Sequence, residues 1–542
     1  MDVVPLDQVQ AIKSALASND LDAAIRLSRK VLNRKPNAQE VLSLYGLALL
    51  KKGNFGEAIQ RFRRCTQLTP HDFSVFENLG LALAEVGNLD EALSVLKHSA
   101  ELGNPSPRLY ANIGSLALQR GENAEAVDWL ARAVHGLPND HESLLQLGVA
   151  YARNGEWAKA RLCTQKVVAD RPTWSRGHDF DGFIHLVPPD FDHAIGAFRQ
   201  ALALPVNSPV DALKIKEMLS DTVMCRDLFP AARAHHGEVT GSASTAAARA
   251  GAMRALDEWL RSQIGPVSPG IRASSSTSAQ AVFFHVDAGA THPFFEVAEA
   301  KAAPVDYRET LSMSAAWFQA TQPGGRVILL TDETTPVDGL PHLSAVVRLP
   351  LSADQMMYAR MRANHALLAS GKVHGPMLLL DTDVCLTRDF APLFDGGFDI
   401  GLTYRQPPDF AHMPVNEGVI LVADGAAPAS ARFFEICLSW YDWLAEQPAV
   451  KARYGFDIRH WRGGQLSLAA FVDWAVPPYA PQDVLIDGIR VRFFPCDLYN
   501  YAVRKADSFS FLDAKWALHF KGAGPKKLMA DYRRHRAKLF KA

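Results

Sequence analysis

Two different apolar patterns divide this chain of 542 residues. From residue 5 to about 206, small and apolar residues recur every 34 positions, the length of a helix, a turn and a second helix. Gly46, Gly80, Gly114, Gly148 and Gly182 hold one register, and Gly53, Gly87, Gly121 and Gly155 a second. Ala24, Ala58, Ala92, Ala126, Ala160 and Ala194 hold a third, while Pro36, Pro70, Pro138 and Pro172 keep the same step with Asn104 in the missing slot. The first glycines are expected to let paired helices approach, the second to turn the chain, the alanines to open close packing, and the prolines to end each unit. After residue 280 the pattern changes to short apolar runs separated by helical stretches. Residues 281–286, 326–331, 346–347, 376–380, 398–403 and 415–422 predict strands, 307–320 and 353–370 predict helices, and Gly463-Gly464-Gln465 opens another helix.

A period of 34 built from helix–turn–helix units resembles the tetratricopeptide repeat, with six copies over residues 5–206, the first and sixth atypical as stack ends require. Residues 209–238 read as a further, degenerate helical pair capping the stack. Residues 240–250 are rich in Ser, Ala and Thr, 252–264 carry helical periodicity, and 265–280 form a Pro/Gly/Ser connector. The expected division is therefore an all-α solenoid over 1–238, a helical and flexible linker over 239–280, and a doubly wound α/β domain with a basic tail over 281–542. The repeat glycines and alanines specify fold, not chemistry.

Composition narrows the function without naming it. The length suggests two to four domains at ~150 residues each. A net charge of −1 and a pI near 7.0 give no electrostatic case for a nucleic-acid partner. Cys65, Cys163, Cys225, Cys385, Cys437 and Cys496 lie far apart with no C-x-x-C spacing, which fits a reducing compartment. No signal-like segment opens the chain and nowhere do 18 uncharged apolar residues run together, so a soluble, cytoplasmic protein is expected. Lys526, Lys527, Arg533, Arg534, Arg536, Lys538 and Lys541 against Asp531 make a basic tail. It reads either as a solvated helix face or as a peripheral contact with anionic lipid.

The chemistry concentrates at Asp381-Thr382-Asp383, which ends the apolar run 376–380. Open α/β sheets bind ligands at the carboxyl ends of their strands, and two carboxylates there can hold a hard divalent cation against a diphosphate. Taken alone the triplet reads more readily as a solvated turn after a core strand. Around it in the sequence stand Tyr358-Ala359-Arg360, Asn416-Glu417-Gly418-Val419, Gln465 and His519-Phe520-Lys521-Gly522, followed by Lys526 and Lys527. Asp332-Glu333, for base or ribose, and Trp461-Arg462, for an acceptor cleft, are weaker candidates.

This ordered set resembles glycosyltransferase family 8, the retaining GT-A enzymes that include bacterial lipopolysaccharide galactosyltransferases and glycogenin, over about residues 281–530. The resemblance implies a Rossmann-like GT-A domain for a nucleotide-diphosphate sugar, and Mn²⁺, with Mg²⁺ as the alternative, on Asp381, Asp383 and His519. It also implies sugar-contacting or catalytic roles for Arg360, Asn416 and Gln465, and diphosphate contacts from Gly522 and Lys526. Two imidazole-free carboxylates would suit Mg²⁺, whereas adding one imidazole favours Mn²⁺. The chain departs from the family at Gly464, where an Asp is usual, and at Lys526, displaced by one position. The expected activity is sugar transfer to a protein or glycan acceptor recruited by the repeats, which could also form a homodimer. The alternative is a non-catalytic scaffold with a degenerate nucleotide-sugar-binding domain.

Overall fold

A computed structural model describes residues 4–103, 105–187, 190–241, 279–287, 307–351, 353–405, 414–460, 462–472, 482–503, 507, 509–521 and 523–536. Nearly all of the expected linker, including the helical stretch 252–264, lies outside these residues. The chain divides into two compact units, 1–167 with 506–512, and 168–505 with 513–542. All six cysteines are buried and none is in a disulfide.

The first unit consists of successive helix pairs. Leu6–Ala17 pairs with Leu21–Leu32, Gln39–Lys51 with Phe55–Leu68, Phe73–Glu85 with Leu89–Leu102, and Pro107–Arg120 with Asn123–Gly136. In the fifth repeat His141–Arg153 is followed by Trp157–Asp170, whose Lys159 sits over the Tyr151 ring at 5.1 Å. The 34-residue registers explain the pairing. A Cβ on Gly46, Gly80 or Gly114 would lie 2.6, 2.4 or 2.6 Å from the ring or branch of Phe62, Leu96 or Leu130, each sixteen residues on, so only glycine admits these buried side chains. Gly53, Gly87, Gly121 and Gly155 have φ between +77° and +81°, a left-handed turn between the helices. Ala58, Ala92 and Ala126 are fully buried. Asp20, Asp72 and Asp140 cap helix starts by accepting from the main-chain N–H groups of Ala23, Ser74 and Ser143.

The second unit begins with a sixth helix pair, Ser175–Ile184 and Phe191–Ala203, where Gly182 meets Phe198 as its counterparts do. Residues 209–238 are not a further helical pair. They form one helix, Pro209–Gly241, which runs through Pro230. Within it no glycine precedes Gly237 to offer a mid-segment turn, and Met224, Cys225, Leu228 and Ala232 anchor the helix in the same core as the sheet that follows, offsetting the hydrogen bond that proline removes. Asp221 accepts from Arg453 Nε at 2.6 Å, and His235 stacks on Trp443 at 4.8 Å between ring centroids. These contacts place the helix with the second unit, so the compact units divide near residue 167, whereas the sequence suggested 238.

The rest of the unit is an eight-stranded sheet in the order β3-β2-β1-β4-β7-β6-β9-β8. Its strands are β1 (Gln280–Phe284), β2 (Arg326–Thr331), β3 (Ala345–Arg348), β4 (Met377–Leu380), β6 (Ile400–Tyr404), β7 (Val415–Val422), β8 (Gln482–Ile486) and β9 (Ile489–Pro495). The first four pair in parallel, but β7 runs antiparallel to both β4 and β6, and β8 antiparallel to β9. The layer is thus mixed, not a uniformly parallel doubly wound sheet. Alternate residues feed opposite cores: Val282, Leu379, Ile420 and Val422 pack on the side of helices Met356–Ala369, Ala427–Glu446 and Gly463–Phe471, while Phe283, Leu378, Leu380 and Leu421 pack on that of Tyr307–Thr321. A second sheet, β10-β11-β5, joins β5 (Val384–Leu386), β10 (Tyr501–Ala502) and β11 (Ala517–His519).

Candidate functional site

The chain leaves β1 toward β2 and β3 on one side and returns to β4 on the other, so the strand order reverses between β1 and β4. Ligands of open α/β sheets bind at such a reversal, beyond the carboxyl ends of the strands. Asp381 follows β4 directly, held by its N–H to Gly418 O at 3.0 Å, and the Asp383 carbonyl accepts from Phe520 N at 3.0 Å. The second hydrogen bond continues the pairing of β11 with β5, which sets His519 opposite Val384. A residue 136 positions downstream thereby meets the acidic pair: His519 Nε2 lies 3.4 Å from Asp381 Oδ2 and 3.0 Å from Asp383 Oδ1.

The imidazole is oriented from behind. Asn500, 2% exposed, donates Nδ2 to Thr403 Oγ1 at 3.1 Å, and Thr403 donates to Asn416 O at 3.0 Å. Asn500 Oδ1 is then the acceptor for His519 Nδ1–H at 2.9 Å, which leaves the lone pair on Nε2, facing the carboxylates. One ligand atom from each of Asp381, Asp383 and His519 lies within 4.8 Å of the others. Two carboxylates and an imidazole with its other nitrogen committed fit a divalent cation such as Mn²⁺.

Cations and a third carboxyl surround this set. The buried Arg360, from helix Met356–Ala369, donates Nη1 to Asp381 Oδ1 and Nη2 to Glu417 O at 2.8 Å. Lys521 is half-buried next to His519, and desolvation together with the nearby Arg405 pulls its ammonium below the usual lysine range against the opposing pull of Asp381 and Asp383. Arg405 Nη2 donates to Gln465 Oε1 at 3.1 Å. Burial pushes the Glu417 carboxyl up to about 7, opposed by Arg360 and aided by Asp381. A Cβ at Gly464 would come within 2.3 Å of Glu417 Oε2, so the Glu417 carboxyl fills the space beside Gln465 that a side chain at 464 would take.

The other sequence candidates fall out differently. Asn416 Oδ1 is engaged by Gly418 N at 2.9 Å, shaping the strand where the β6–β7 register shifts. Asp332 caps its own turn: burial works against its charge, but the side chains and N–H groups of Thr335 and Thr334 outweigh it and hold the carboxyl below the usual range. Gly522 and Trp461 lie outside the described residues, as does the side chain of Lys526. Asn500, Thr403, Arg405 and Lys521 have no role in the sequence reading; only Lys521, two residues after His519, carried a local signal. The tail helix Ala523–His535 buries Met529 and Tyr532, and Arg536 pairs with Asp513 at 2.8 Å. Among the described residues, no helix is long and apolar enough to cross a membrane.

Sequence profiles of the tetratricopeptide repeat match residues 77–141 and 142–173. The N-terminal part of the chain carries tetratricopeptide repeats. A profile described as "Anaphase-promoting complex, cyclosome, subunit 3" matches residues 17–99. Similar solved structures include MamA from Desulfovibrio magneticus RS-1, 22% identical over 31% of this chain and 94% of that one, TM-score 0.30. Others are YrrB, titled a TPR protein with an unusual peptide-binding site (16% identical, 35% and 97% covered, TM-score 0.32), and Pseudomonas aeruginosa pilF (18%, 39% and 95%, 0.34). No curated protein matches the chain in sequence. Tetratricopeptide repeats point to a scaffold for protein interaction.

Proposed function

We propose that the second unit is a metal-dependent glycosyltransferase of GT-A type, moving a sugar from a nucleotide-diphosphate donor to a protein or glycan acceptor that the repeats recruit. The observation that carries this reading is the meeting of Asp381, Asp383 and His519 at the strand-order reversal, with His519 oriented by Asn500. Asp381, Asp383 and His519 would hold Mn²⁺, which when bound neutralises the charge of a departing diphosphate. Arg360 fixes Asp381 and the strand end at Glu417, while Lys521 and Arg405 offer cationic partners for phosphate oxygens. Gln465, held by Arg405, and the Glu417 carboxyl beside it border the place for the reacting sugar. In the retaining course the bond from the anomeric carbon to the diphosphate oxygen breaks, the acceptor oxygen bonds on the same face, and the acceptor proton passes to the departing phosphate.

A second reading is a scaffold whose transferase-like unit binds a nucleotide sugar without turning it over. The ion pair that already occupies Asp381 Oδ1 favours it. Purified protein incubated with Mn²⁺ and a panel of nucleotide sugars separates the two: transfer or slow donor hydrolysis supports the enzyme, whereas thermal stabilisation with no nucleotide release supports the scaffold.

A further inference from the structure

The sixth helix pair holds a second cluster that the proposed reaction does not use. Asp181 and His185 stand four residues apart, on helix Ser175–Ile184 and at its C-terminal cap, and His193 comes from the first turn of Phe191–Ala203. One ligand atom from each lies within 4.8 Å of the other two. Asp181 is 8% exposed, with Oδ1 3.5 Å from His185 Nδ1 and Oδ2 2.9 Å from His193 Nε2. Among the described residues no lysine or arginine pairs with it. The two imidazoles stack at 3.7 Å between centroids. A buried carboxylate requires a compensating positive charge, and here both its oxygens face ring nitrogens instead of a permanent cation. His185 Nδ1 also donates to Asp181 O at 2.8 Å, which commits that nitrogen as N–H and leaves Nε2 as the His185 atom with a lone pair for a metal.

We propose that Asp181, His185 and His193 bind a divalent transition metal of the zinc class, with water completing the shell on the half-exposed side of His193. Two imidazoles and one carboxylate form a nitrogen-rich set, softer than the oxygen-rich set at Asp381, Asp383 and His519, so zinc suits the first where manganese suits the second. The ion joins the C-terminal cap of Ser175–Ile184 to the first turn of Phe191–Ala203. It also steadies the start of Phe191–Ala203, where Phe191 packs edge-on against Phe229 at 4.8 Å and so ties the repeat to helix Pro209–Gly241.

The test uses the untagged full-length chain carrying Asp383→Asn, which disables the other set, stripped with a chelator and titrated with Zn²⁺ against a chromogenic competitor. One equivalent of tightly bound Zn²⁺ is expected, with a rise in melting temperature. Adding His193→Ala should weaken binding by about 100-fold and abolish that rise while helical circular dichroism is unchanged. Zn²⁺ uptake that is absent, or identical with and without His193, overturns the proposal. Should His193→Ala unfold the protein, Co²⁺ added to the Asp383→Asn chain decides: intense visible bands of a four-coordinate site support the assignment, and the weak spectrum of hydrated Co²⁺ overturns it.

Discussion

Gly418 stands against His519 so closely that a Cβ at 418 would lie 2.6 Å from the imidazole Cε1, and 3.0 Å from Asp381 Oδ2. The absence of a side chain on β7 is therefore what lets the imidazole and the acidic pair share one side of the strand. Gly418→Ala should push His519 off Asp383, lowering Mn²⁺ affinity by about 10- to 100-fold and stability by about 1–3 kcal/mol. Mn²⁺ titration by calorimetry, with a melting curve alongside, checks both; unchanged affinity would detach the glycine from the metal set.

Asn500 acts one step further back. Asn500→Ala removes the acceptor that fixes the His519 tautomer and frees the ring to turn, without touching a carboxylate. Mn²⁺ affinity should again fall about 10- to 100-fold. The imidazole N–H resonance of His519, buried and bonded to Asn500, should be visible in the proton NMR spectrum of the parent protein and disappear from that of the variant. Its persistence would show that Asn500 does not orient the ring.

Removing charge from the set itself tests the proposed chemistry. Asp383→Asn keeps the volume and the fold but withdraws one carboxylate, so transfer should drop about 10²-fold or more, as when a stabiliser of transition-state charge is lost. Full activity in that variant, or in EDTA, would leave the glycosyltransferase reading without its metal.

The layers of the fold were readable because they rest on periodicity. Buried runs such as Leu378–Leu380 and the 34-residue registers of Gly80 and Ala92 announce themselves at short range, and Leu96 and Leu130, the partners of Gly80 and Gly114, stand 34 residues apart in the same way. What escaped was set by contacts distant in sequence. β5, β10 and β11 have three, two and three residues, too few to show an alternation, yet their pairing is what carries His519 to Asp383. The β8–β9 hairpin went unread, because its local signal is the Asp487-Gly488 turn, where both residues have positive φ, and not apolar runs. Asn500 carries no local signal, since its role depends on Thr403 and His519 meeting it in space. The helix Pro209–Gly241 was misread as a pair because its apolar face is buried by the sheet layer, so its pattern did not follow the repeat.

Glu417 should give the metal-free protein a pH-dependent stability whose sign follows from its burial. Its carboxyl is raised to about 7 from a usual value of 4.5, chiefly by burial. A raised folded pKa means that stability is full below about 4.5 and is lost as pH climbs through about 7, by up to ~3 kcal/mol. Glu417→Gln, neutral at every pH, should flatten that decline between pH 5 and 8 in urea melts run with EDTA. A parent protein as stable at pH 8 as at pH 5, relative to the variant, would show that Glu417 ionises freely.

The repeats are tested by separating them from the second unit at the right place. Helix Pro209–Gly241 contributes Met224, Cys225 and Leu228 to the core under the sheet and Asp221 to an ion pair with Arg453, so a cut near residue 240 would unravel that core. A chain beginning at Trp174 keeps these contacts and removes the first five helix pairs. If those pairs concentrate a protein acceptor near the cleft, Mn²⁺-dependent donor hydrolysis should stay near normal in the shortened chain. Transfer at low acceptor concentration should fall about 10²-fold or more, as lost avidity predicts, and recover as acceptor is raised. Equal transfer by both chains at low acceptor would remove the recruiting role. A fall in mass from dimer to monomer on shortening, with transfer intact, would assign the repeats to self-association instead.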